Sequence, residues 1–294
     1  MANYTFQEAI DGRFIRHLRP EFDFGGSISQ ESTLIRLLVG TVSVSNNYST
    51  DSFDQFNNYS VLGISENTTV STRPIKECIE PVGKLTQLCT YLDKTKNSNN
   101  DYFLNLLEEL TSYFYKKSKT SYTTAFIHLY RSIEYISYSF PLIYASVSKE
   151  YYGSFNKLKN YFDTSKSELL FFDEFTKKVL DDSLLDTPLT FNFNTLSNTI
   201  NRNHFQIIKK ILTTERIDNE IPNVSITTSY KHLLKLTIDL RNRYFHFAIG
   251  SGKRNIRGTE IIENDVFFSI INESVMNWIA IIYFEILTVS AVKN

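Results

Sequence analysis

Arg241, Asn242 and His246 are the residues best equipped for chemistry, set in the string Leu240-Arg241-Asn242-Arg243-Tyr244-Phe245-His246-Phe247. An imidazole with an ordinary pKa of about 6.5 can take or give a proton at neutral pH. A guanidinium meets the charge growing on a phosphorane with a rigid fork of donors. Asn242 precedes His246 by four residues, so the two share a helix face, and the amide can hold the imidazole in one orientation and tautomer. Such a set can open an RNA phosphodiester without a metal, the 2′-hydroxyl serving as internal nucleophile. Arg241 and His246 are five helical steps apart, about 140° around the axis. A straight helix therefore does not aim both at one phosphate.

Other residues are candidates for supporting roles. Arg131 and Glu134 lie three apart in the string His128-Leu129-Tyr130-Arg131-Ser132-Ile133-Glu134, where they can pair with each other or support the site. Arg243, Lys253, Arg254 and Arg257 cluster around the end of the motif and can form a basic rim for RNA phosphates. Phe245 can stack on a base, whereas Tyr244 falls on an apolar seam and reads as core. His128 reads as a partly buried packing residue. His17, His204 and His232 have no partners at ligand spacing, so no metal and no cofactor is expected. Gly250-Ser251-Gly252-Lys253 is not a phosphate-binding loop of the P-loop type, because its first glycine would fall at Phe247 and Arg254 follows the lysine.

The Arg-Asn-x-x-x-His pattern of Arg241, Asn242 and His246 resembles the signature of the HEPN superfamily, an arginine and a histidine separated by four to six residues. The string His128 to Glu134 is similar to the early bundle helix of ApeA-like HEPN proteins. The resemblance covers residues 101 to 294. It implies an all-α HEPN-like helical bundle and a metal-independent endoribonuclease that leaves a 2′,3′-cyclic phosphate and a 5′-hydroxyl. It further implies a homodimer in which two motifs face each other across one composite cleft. The setting implied is anti-phage defence, as a toxin or abortive-infection effector held off by a regulatory protein or antitoxin. A non-catalytic HEPN module, serving as a dimerisation or RNA-holding scaffold, carries the same motif and is the competing expectation.

The elements that must position these residues follow from periodicity. A helix is expected from Asp101 with Phe103, Leu106, Leu107, Leu110, Tyr113 and Phe114 on its apolar face. A longer one carries Phe126, Leu129, Ile133, Ile136, Phe140 and Ile143, with Pro141 expected to kink or end it. Two more are expected over about 167–180 and 196–212. A fifth is expected from Ser225 to Phe247, with Ile226, Tyr230, Leu233, Leu240, Tyr244 and Phe247 as its stripe. A last apolar helix should cover Asp265 to Val289. Asn277 and Glu285 interrupt it, which suits a buried strut better than a lipid-facing span.

The first hundred residues read differently. Ser, Thr and Asn cluster between Thr41 and Thr72, and Leu34–Val44 fits a strand or a short helix equally well. Short extended pieces are expected at Val61–Ile64 and Thr69–Ile75. The polar run Lys94–Asp101 is the expected boundary between a smaller irregular N-terminal region, residues 1 to 100, and the helical domain, residues 101 to 294. The N-terminal region would be a sensor, a cap or a partner-binding surface.

Bulk composition sets the remaining limits. Of the 294 residues 42% are hydrophobic and 21% charged, enough for a sizeable core. The net charge of −1 advertises no global affinity for nucleic acid, so RNA contact must come from a local patch. Cys78 and Cys89 are too few for a disulfide framework. Residues Met1 to Pro20 lack the apolar run of a secretory leader, and a cytoplasmic location without membrane association is expected.

Overall fold

The computed structural model describes residues 3–9, 15–16, 18–67, 69–81, 83–159, 168–194, 197–245 and 255–293. The chain is mostly helical, as expected, with small sheets. Its N-terminal part comprises β1 (Tyr4–Glu8), β2 (Ile15–Arg16), α1 (Gln30–Val39), β3 (Val42–Asn46), β4 (Ser52–Gln55), β5 (Asn57–Asn58), β6 (Ser65–Glu66), β7 (Val70–Ser71), α2 (Arg73–Ile79) and α3 (Leu85–Thr95). Then follow α4 (Asn100–Ser118), α5 (Tyr122–Val147), α6 (Tyr151–Leu158), α7 (Glu168–Val179), α8 (Asp182–Leu185) and β8 (Pro188–Asn192). The chain continues through α9 (Asn198–Leu212), β9 (Asn219–Ile221), β10 (Ser225–Ser229), α10 (Leu233–Tyr244) and α11 (Asn264–Lys293).

Leu34–Val44 resolves into both of its readings. Ser29 caps α1 by accepting the Ser32 N–H at 3.1 Å, and Gly40 at φ 88° ends it. A Cβ at Gly40 would lie 2.5 Å from the Phe56 carbonyl oxygen, so only glycine lets the chain turn there into β3. β3 is the central strand of an antiparallel sheet with β1 and β4. Behind that sheet Arg36 is 1% exposed and forks onto Glu8 at 2.6 and 3.0 Å. Of the short extended pieces expected, only Val70–Ser71 forms a strand, and Pro74 starts α2 instead of breaking it.

α5 runs through Pro141 to Val147, so the proline does not end it, and the helix packs against α4, α7 and α11. One helix expectation is corrected. The segment expected to begin the helix at Ser225 is a strand. Ser225-Ile226-Thr227-Thr228-Ser229 is β-branched at three consecutive positions and follows a turn with Asn223 at φ 62°. It pairs antiparallel with both β8 and β9, and the helix starts only at Leu233. Ile226 and Tyr230 are buried all the same, which is why the four-and-three spacing resembled a helical seam.

α11 is the strut on which the other layers lie. It packs against α5, α3, α10, α2 and β8. It is long and apolar enough to cross a membrane, but 83% of its most apolar stretch is buried inside the fold. Two of its polar residues bind neighbours. Asn277 donates to the Tyr59 and Val61 carbonyls, both at 2.8 Å, and accepts the Tyr230 hydroxyl at 3.0 Å. Glu273 accepts the hydroxyls of Tyr59 at 2.7 Å and Tyr113 at 2.8 Å and pairs with Lys117 at 2.7 Å. The boundary expected at Lys94–Asp101 coincides with the turn between α3 and α4, yet the apolar core runs unbroken across it from Phe22 to Ala291.

Replacing Asn277 by Leu strands a buried carbonyl, a part-buried one and a buried phenol, and should cost about 2–4 kcal/mol. Urea unfolding would read this, and a loss under about 1 kcal/mol would contradict the clamp. Glu31 offers a second check. Burial pushes its carboxyl from the usual 4.5 up to about 8, with Thr95 and Tyr91 hydrogen bonds opposing in part. The folded chain therefore keeps a proton that the unfolded chain releases, so this stability is complete below about 4.5 and drains away as the pH climbs to about 8. Glu31→Gln should raise Tm relative to the parent at pH 8.5 more than at pH 5, and an equal offset at both would refute it.

Candidate functional site

The site forms where the last turn of α10 meets the first half of α5. Both helices present aromatic residues to α11, and these set the floor. Phe245 stacks on Phe126 with ring centroids 5.8 Å apart and planes at 10°, and both rings touch Phe268 of α11. Tyr244 also packs edge-on to Phe268, as its core reading anticipated. α10 closes when the Phe245 N–H donates to the Arg241 carbonyl at 2.9 Å. Arg241 and Asn242 thus sit in the carbonyl end of a helix, where the macrodipole favours cations.

Arg241, Arg131 and Glu134, three residues singled out from sequence, line one groove of about 380 Å3 with Phe126, Ile127, Tyr130 and Phe245. The Arg241 guanidinium lies over the Tyr130 ring at 4.6 Å from its centroid. It also donates to the Asn242 side-chain oxygen at 3.1 Å. Among the described residues it has no carboxylate partner within 4.0 Å. The ring fixes the guanidinium from one side and leaves its donor edge for another acceptor. Burial pushes the Tyr130 phenol up to about 12, Arg241 opposing this and Glu134 adding to it, so the hydroxyl stays protonated and can donate to the Glu134 carboxylate.

Arg131 does not pair with Glu134. Its guanidinium crosses the seam to Glu109 of α4 at 3.0 Å, and His128 Nδ1 lies 2.8 Å from the other oxygen of the same carboxylate. His128 is therefore a hydrogen-bonding residue as much as a packing one. Arg243 is on the far side of α10, donating to the Lys210 carbonyl at 3.3 Å, and it does not reach the groove. Arg257 is exposed beyond the groove's edge. His246, Lys253 and Arg254 lie outside the described residues, as does His17. The groove thus unites Arg241, Arg131 and Glu134, with Asn242 at its margin.

Tyr130 and Glu109 were not singled out by sequence. Each had a signal. Tyr130 stands four after Phe126, on the apolar face of α5. Glu109 falls three after Leu106 and four before Tyr113, which places a carboxylate on the buried stripe of α4. A charge on such a stripe requires a partner.

The chain matches no protein-family model, no curated protein and no solved structure, so its functional reading rests on these residues.

The Arg241–Tyr130 contact is open to a direct energetic check. A double-mutant cycle with Arg241→Met and Tyr130→Leu should return a coupling of about 0.5–1 kcal/mol in urea unfolding. Strictly additive effects would mean that the ring does not hold the guanidinium.

Proposed function

We propose that this chain is a metal-independent endoribonuclease of the HEPN type, acting as a homodimer. The observation that carries the reading is the Arg241 guanidinium. It is braced on the Tyr130 ring in an open groove, with no carboxylate partner among the described residues, and stands a few residues ahead of a histidine in the chain. A braced cation with free donors suits charge that appears on a phosphorane, because no reorganisation is needed when that charge develops. The exposed edge of Phe245 offers a stacking surface for a base of single-stranded RNA beside it. Glu109 and Glu134 balance Arg131 and Arg241 in net charge, so phosphate is favoured by the placement of the Arg241 donors and not by a net positive field.

In this reading the 2′-hydroxyl attacks the adjacent phosphorus, the bond to the 5′ oxygen breaks, and His246 moves a proton at one of those oxygens. Arg241 neutralises the dianionic phosphorane. Asn242 orients the His246 imidazole four residues on in its own chain, with an amide whose oxygen also accepts from Arg241. His246 comes from the facing protomer, which resolves the 140° offset along a single helix. Lys253, Arg254 and Arg257 attract the strand electrostatically. The setting is a cytoplasmic toxin or abortive-infection effector in anti-phage defence, with residues 1–100 as the sensing or capping part.

Purified protein in EDTA should cleave RNA to 2′,3′-cyclic phosphate ends. Arg241→Ala and His246→Ala should each lower the rate by about 10²–10⁴. Mixing the two inactive variants should restore activity if the site is composite. Equal cleavage by all three proteins would assign the activity elsewhere. RNA retention without cleavage by the parent would favour the scaffold.

A further inference from the structure

The Arg241 groove has a centre and two ends, and the reaction above uses the centre and one end. Its wall on α5 is built from Phe126, Tyr130 and Glu134, which follow one another at four-residue steps on one face of the helix. From the first to the last of them the helix advances about 12 Å. Phe245 of α10 stacks on Phe126 at one end, and the Arg241 guanidinium covers Tyr130 in the middle. Glu134 closes the other end. A dinucleotide has the same order of parts, a phosphate in the middle and a base on either side.

The two ends offer different chemistry. Phe245 and Ile127 keep apolar surface exposed, which suits the face of any base. Glu134 is an exposed carboxylate, and among the described residues no cation lies within 4.0 Å of it. Arg131, three residues before it, is engaged by Glu109 instead. The donor that faces Glu134 is the Tyr130 hydroxyl, which leaves most of the carboxylate's lone pairs to accept. A carboxylate repels phosphate, so the strand cannot lay its backbone at this end. A base edge that donates hydrogen bonds fits there. Guanine alone places two donors side by side on its Watson–Crick edge, N1–H and the N2 amino group, and these match the two oxygens of one carboxylate. Adenine and cytosine set an acceptor nitrogen beside their single amino group, and uracil flanks its one N–H with two carbonyl oxygens. In each of these an acceptor is turned towards the carboxylate, which penalises the wrong base.

We propose that Glu134 makes the groove a reader of guanine. It accepts N1–H and the N2 amino group of the base on one side of the phosphate held by Arg241, while the base on the other side stacks on Phe245. The substrate class is then single-stranded RNA with guanine at one fixed position beside the cut. The proposal rests on the ribonuclease reading and specifies the substrate of that same groove.

The test uses short 2′-fluoro oligouridines, which lack the attacking hydroxyl, with guanine, hypoxanthine, adenine, cytosine or uracil as the central base. Binding to the whole protein is read by fluorescence anisotropy. The guanine oligonucleotide should bind about 10-fold or more tighter than those with adenine, cytosine or uracil. Hypoxanthine, which keeps N1–H and lacks the amino group, should fall between. Glu134→Gln, a change at an exposed position, should shrink the guanine lead to about threefold or less. Cuts mapped on a mixed-sequence RNA should carry guanine on one side, and the variant should lose that bias. A parent that binds all five alike, or favours another base, overturns the proposal and leaves the role of Arg241 standing. A guanine lead that survives in Glu134→Gln overturns the assignment to Glu134. A parent that binds none of the five overturns the ribonuclease reading as well.

Discussion

The polar face of α11 holds the molecule together. A helix this apolar would pack against its neighbours in many rotational settings, because dispersion and burial have no direction. Glu273 and Asn277, one turn apart, remove that freedom. Glu273 receives two buried phenols, Tyr59 from the N-terminal region and Tyr113 from α4, and its charge is met by Lys117. Burial, then the Glu273 charge, hold both phenols well above their ordinary pKa, so they remain donors. Asn277 takes two carbonyls at positions 59 and 61 and the Tyr230 hydroxyl just ahead of α10. Each group would be left unpaired by a small rotation of the helix, and an unpaired buried polar group costs more than the hydrogen bond returns.

The site inherits its geometry from this constraint. Tyr230 begins the turn that starts α10, and Phe268 of α11 carries the rings of Phe126, Tyr244 and Phe245. Arg241 is thereby set over Tyr130 by the same helix that bolts the N-terminal region in place. Sensing in that region and chemistry at the groove would share one rigid member, which gives any coupling between them a physical route.

Much of this was legible in the sequence, for reasons that differ from residue to residue. The apolar faces of α4, α5, α9 and α11 were readable because helical periodicity survives in a single chain. Arg131, Glu134 and Arg241 were readable as types suited to one chemistry, and they line one groove. Ser225–Ser229 misled because a strand followed by a tight turn repeated the spacing of a helical seam. The partner of Arg131 could not be read at all. Glu134, three residues away, satisfies the local rule, while Glu109 reaches it only after α4 packs on α5. Asn277 looked like an interruption of an apolar run, and only the fold reveals the carbonyls it serves.

In chain order α11 comes after every element that leans on it. During vectorial synthesis the sheets, α3 and α5 emerge with their inner faces uncovered, and the strut that closes them arrives later. Completion of the core must therefore wait until residues 264–293 have left the exit tunnel. Until then the nascent chain exposes apolar surface that a chaperone would recognise. A groove that depends on Phe268 for its floor stays unformed over the same interval.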